Sequence, residues 1–159
     1  MNRPENFQSR LKNDFMRMGK EDFDEVLDQI LQKDKRFHRD AYVFVTQAVE
    51  FTQKAISKAN KGRIRHVTGQ ELLAGIKTYA LDRYGPMAIT LFDEWGVKRC
   101  EDFGEIVFNL VDHGLLKKTE TDSRADFQGG YDFYEAFRKP FLPKNRQGTE
   151  TEKKSSTSA

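Results

Sequence analysis

The chain is expected to be mainly α: a compact helical domain with a winged-helix-like second half ending in a short β-hairpin or extended arm. Three observations predict this. Apolar residues recur at helical spacing in five segments between Asp22 and Leu116. Thr68 and Glu71 have the T-x-x-E spacing of a capping box, a start signal for one of those helices. After Gly114 the helical period stops, and "LLKKTETDSRADFQGGYDF" offers a Thr-rich stretch, a polar turn and the pair Gly129-Gly130, a pattern of two extended arms.

Each element follows from its own residues. Phe7, Leu11, Phe15 and Met18 are spaced for a short amphipathic helix in a variable segment, residues 1–20. In "EDFDEVLDQILQKD" the set Phe23, Val26, Leu27, Ile30, Leu31 makes one helical face, with Asp22 and Glu25 at capping-box spacing. From Asp40 to about Ala59 a longer helix presents Val45, Ala48, Val49, Thr52, Ala55, Ile56 and Ala59 on one side, with Phe44 and Phe51 on its flank. The Thr68 helix carries a hydrophobic staple between Val67 and Leu72 and stops near Gly85. Pro86 suits the first turn of the next helix, whose Met87, Ala88, Leu91, Phe92 and Trp95 share a face before Gly96. Glu101 and Asp102 complement the dipole at the start of a fifth helix, where Phe103, Ile106, Val107, Leu110 and Val111 form the buried stripe. One domain spanning 21–143 results, and the polar residues 144–159 have the composition of a disordered tail.

Composition narrows the function classes. The 159 residues carry a formal net charge of only +2, so no global field demands a polyanionic partner. Thirteen Phe and five Tyr supply core material that a 33% charged chain would otherwise lack. A lone cysteine, Cys100, excludes an internal disulfide and any multi-cysteine zinc cage, and suits a reducing cytoplasm. No apolar stretch has the length of a membrane span and no leader pattern is visible, so a membrane partner is not expected.

The segments "HVTGQELL", "YGPMA", "EDFGEIVFNLV" and "YDF", in that order, resemble a family of small uncharacterised bacterial proteins. The resemblance runs from about Phe23 to Pro143 and leaves both chain ends outside. It implies a single cytoplasmic domain and brings no reaction, cofactor or catalytic residue with it.

Chemistry has few footholds. Cys100 stands at a helix start, where its pKa would fall, but Glu101 and Asp102 push it the other way; a plain helix-start residue is the simpler role. No nucleophile elbow or phosphate loop is present, so no catalytic residue and no cofactor is assigned. His113, Glu120, Asp122 and Asp126 are the best metal candidates, without the spacing of a ligating motif. Between Cys100 and Glu135 nine acids face three bases, the wrong sign for a helix that reads DNA. The basic stretch Lys54, Lys58, Lys61, Arg63, Arg65 is better placed to grip phosphates of a nucleic acid or ribosome. Finally "YDFYEAFRKPFLP" concentrates Tyr131, Phe133, Tyr134, Phe137 and Phe141. Tyr131, Tyr134, Phe137 and Phe141 are the candidate anchors for a protein partner or a second copy. The expected function is therefore non-catalytic binding or structural, acting through protein contacts of the acidic, aromatic C-terminal half. Nucleic-acid binding is the alternative, and a metal-dependent enzyme near His113 is the weaker one.

Overall fold

A computed structural model of the chain describes residues 19–63, 67–117 and 123–143, and among them five α-helices and no strand. The expected helix over 7–18 and the tail beyond Pro143 lie outside the described residues. Helix α1 (Gly19–Lys33) starts three residues before the expected Asp22 cap, and buries Leu27 and Ile30. Arg39 opens α2 (Arg39–Ala59) and clamps it to α1 through Asp28 at 2.7 Å and through Asp24. The Nδ1 of His38 accepts the Asp40 N–H and caps α2.

The buried face of α2 is rotated from the expected one. Phe44 and Val45 lie at its centre with Ala41, Ala48 and Thr52, whereas Ala55 and Ala59 are exposed. The cause is aromatic packing: the Phe44 ring meets Tyr79, Tyr84, Phe92, Trp95 and Phe103 at centroid distances of 5.4–6.5 Å. Phe44 is the hub of the core.

Helix α3 (Gly69–Tyr84) begins as expected. Thr68 Oγ accepts the Glu71 N–H at 3.1 Å, and the Glu71 carboxylate accepts the Thr68 N–H at 3.2 Å. It lies close against α2 because Gly75 faces Thr52; a Cβ at position 75 would come 2.8 Å from the Thr52 Cβ. A 3-10 turn (Gly85–Met87) leads into α4 (Ala88–Glu94). Gly96 has φ +83° and a Cβ there would strike the Arg36 carbonyl, so the connection that follows α4 needs glycine. Helix α5 (Cys100–Asp112) is capped by Asp102, whose carboxylate accepts the N–H groups of Lys98 and Arg99.

The expected hairpin and winged-helix-like second half are not found among the described residues. Among the described residues, Arg124–Phe127 forms a 3-10 turn, and the arm from Tyr131 closes in a π turn (Tyr134–Arg138) and a 3-10 turn (Lys139–Phe141). The physical reason is the spacing of the aromatics: Phe133 and Phe137 stand four apart, meet at 5.3 Å and both enter the core, which suits a helical turn and not an alternating strand. The first turn is held by Gln70, whose amide donates to the carbonyls of Asp126 and Gln128. Small residues admit it: Gly69 faces Asp126, and Gly104 faces the Phe127 ring. The arm is tied by the Tyr131 hydroxyl, which donates to the Leu73 carbonyl at 2.7 Å.

One polar network crosses this apolar packing. Asn109 Nδ2 donates to the Tyr42 hydroxyl and to Asp34, both at 3.0 Å, and Arg36 pairs with Asp34 and with Glu105. Arg124 joins Glu105 from the far side. The Arg36 guanidinium holds the Asp34 carboxyl well below the ordinary carboxylate range. The network ties the α1–α2 junction to α5.

Candidate ligand-binding cleft

Where α2, the start of α3 and the end of α5 converge, the helices leave a shallow cleft that opens to solvent. Its walls come from residues on the inner faces of those helices. Val49 and Gln53, one turn apart, supply the α2 wall; Val67, Gly69 and Leu72 supply the α3 wall; Val107, Phe108 and Val111 supply the α5 wall. Phe127 and Leu116 close it, with Lys117 and Asp126 among the polar residues that line it. A mostly apolar lining with few polar groups is the usual composition of small-molecule sites.

Gln53 is the exception in this lining. It is 8% exposed, yet no described residue forms a hydrogen bond with its carboxamide. Its carboxamide is therefore turned to the solvent-open cleft, where its donor and acceptor are available to a ligand. Its neighbour Thr52 is instead satisfied within α2, donating to the Ala48 carbonyl at 2.7 Å. Asp126 and Thr68 are also already engaged: Asp126 accepts the Ser123 N–H, and Thr68 caps α3.

The residues singled out from sequence are distributed elsewhere. Lys54 pairs with Glu50 at 3.0 Å; Lys58, Lys61 and Arg63 are exposed around the C-terminal end of α2; Arg65 lies outside the described residues. Of the metal candidates, Glu120 and Asp122 also lie outside them, and no group of three His, Cys, Asp or Glu side chains that could hold a metal occurs among the described residues. His113 caps α5, its Nδ1–H donating to the Asn109 carbonyl at 2.9 Å. Phe137 is a correction to the surface-anchor reading: it is 0% exposed and belongs to the core. Tyr131 is half-buried beneath Lys77, and only Tyr134 and Phe141 of the four remain at the surface. The acids of this half are largely used within the fold, Asp102 as a cap, Glu105 between two arginines and Glu135 with Lys139.

Cys100 has no feature of a nucleophile. It is buried, its thiol donates to the Tyr131 carbonyl, and burial pushes its pKa up to about 11. Gln53 was overlooked from sequence because it adjoins Thr52, on an apolar stripe where one polar residue reads as a helix flank; the signal was its spacing of four from Val49. No described helix is long and apolar enough to cross a membrane. No family model, curated protein or solved structure matches this chain.

Proposed function

We propose that this is a binding protein whose ligand site is the cleft between α2, α3 and α5, taking a small molecule with an apolar body and a hydrogen-bonding group that reaches Gln53. The observation that carries this reading is the Gln53 carboxamide, hydrogen-bonded by no described residue and set on an otherwise apolar wall of the cleft. The test is a ligand-observed NMR screen of apolar fragments, repeated on a Val49→Phe variant whose larger ring fills the cleft. Fragments that bind the wild type and are lost in the variant, with the melting temperature held within a few degrees, support the site. Fragments that bind both proteins equally sink it.

A second reading has its own support. The three exposed large hydrophobic residues among those described, Met87 (55%), Tyr134 (38%) and Phe141 (43%), lie on short turns of which the first packs on the second and the second on the third. We propose protein contact there, through apolar anchors and not through the acidic face, because Asp102, Glu105 and Glu135 are engaged within the fold. Sedimentation of the wild type and of a Met87→Ser/Tyr134→Ser/Phe141→Ser variant checks self-association. A mass that rises with concentration only in the wild type supports contact between two copies, and one that is unchanged throughout overturns it.

A further inference from the structure

We infer that the ligand of the cleft is uncharged and presents an amide-type edge, an N–H donor beside a C=O acceptor, which pairs with both ends of the Gln53 carboxamide. The inference rests on the cleft being a ligand site and adds the chemical class. A carboxamide offers one acceptor oxygen and a donor nitrogen side by side, so the group that satisfies both at once is another amide, lactam or imide edge. A ketone would satisfy only the donor, and an ether or alkyl group less.

Charge is argued against from the same lining. A ligand carboxylate or ammonium set against Gln53 would give up part of its hydration and meet a neutral partner in exchange. The two charged residues of the lining are Lys117 and Asp126, opposite in sign, so the cleft carries no net charge to favour either ion. The one feature that would attract an anion is the start of α3, and there Asp126 packs against Gly69, its Cβ only 2.8 Å from where a Gly69 Cβ would be. A carboxylate approaching Gly69 meets the Asp126 Cβ and carbonyl oxygen. The remaining walls, Val49, Leu72, Val107, Phe108, Val111 and Phe127, suit a flat or branched hydrocarbon body.

Three probes of one shape decide it: naphthalene-carboxamide, naphthalene-carboxylate and acetylnaphthalene, titrated into the full chain and followed by the side-chain amide signals of Gln53 and the methyl signals of Val49, Leu72 and Val107. The expected result is that the carboxamide binds about tenfold more tightly than either of the others, as two net hydrogen bonds allow, and shifts the Gln53 amide pair. In Gln53→Met, of similar length and without the amide, that advantage should vanish while acetylnaphthalene keeps its affinity. The wild-type ranking stands even if that variant does not fold. A carboxylate that binds best overturns the uncharged class while leaving the cleft as a site. Equal binding of all three, unchanged by Gln53→Met, overturns the role of Gln53. No shift at the cleft signals with any probe overturns both this inference and the reading it rests on.

Discussion

Cys100 shows how one side chain's surroundings decide its chemistry. A thiol at the first position of a helix has converging N–H groups near it, which favour the thiolate. Here burial dominates in the opposite direction, with Glu101 and Asp132 adding to it, and the contact with the Tyr131 carbonyl only partly offsets the rise to about 11. Two consequences can be measured. Alkylation of the native protein at pH 8 should be slow and limited by opening of the fold, and should become fast in denaturant. Because the folded pKa is raised, the unfolded thiol ionises first as pH climbs from about 9 to about 11, so the wild type should lose stability across that window relative to Cys100→Ala. A difference between the two proteins that stays constant from pH 7 to 11 would contradict the buried placement. The lesson at this scale is that Cys100 and its acidic neighbours were visible in the sequence, whereas the Tyr131 carbonyl thirty-one residues away was not.

Helices were legible where local rules suffice. Thr68, Glu71, Val67 and Leu72 carry their start signal within six positions, and the capping box is formed as read. Which face of α2 is inward was not legible, because that face is chosen by aromatic partners on three other helices, and an apolar stripe of moderate width leaves the rotation open. The same limit hid Gln53: its position on the cleft wall depends on α3 and α5 arriving at particular distances. Gly75 tests how tightly those distances are held. A methyl there would press on Thr52, whose own hydroxyl is committed to the Ala48 carbonyl, so neither helix has a free direction in which to yield. Gly75→Ala is expected to destabilise by about 1–3 kcal/mol despite the higher helix propensity of alanine. Thr52→Ala in the same chain should recover part of that loss, and a double-mutant cycle in urea would show the coupling. Simple additivity of the two changes would mean that α2 and α3 are not in contact at this point.

The domain is assembled around rings. Phe44 and Phe92 lie between the helices, and the C-terminal arm brings Phe133 and Phe137 against Phe92 at 5.7 and 5.1 Å and Phe133 against Phe103 at 5.6 Å. The concentration of aromatics between Tyr131 and Phe141 was plain in the sequence, but whether they close the core or wait for a partner depends on contacts with residues thirty to forty-five positions earlier. The arm therefore divides into two kinds of residue. Phe137, fully buried against Phe92, Phe133 and Tyr131, should cost about 3–5 kcal/mol when cut to alanine, a large share of the 5–15 kcal/mol that holds a typical domain. Tyr134 and Phe141 keep 38% and 43% of their surface in water, and their replacement by alanine should change stability by only about 0.5 kcal/mol. Chemical denaturation of the three variants separates the possibilities. If Phe137→Ala unfolds as late as Tyr134→Ala, the arm is an appendage and the core ends with α5. If it unfolds far earlier, the arm completes the domain, and protein contact on this side is left to the few apolar side chains that remain outside.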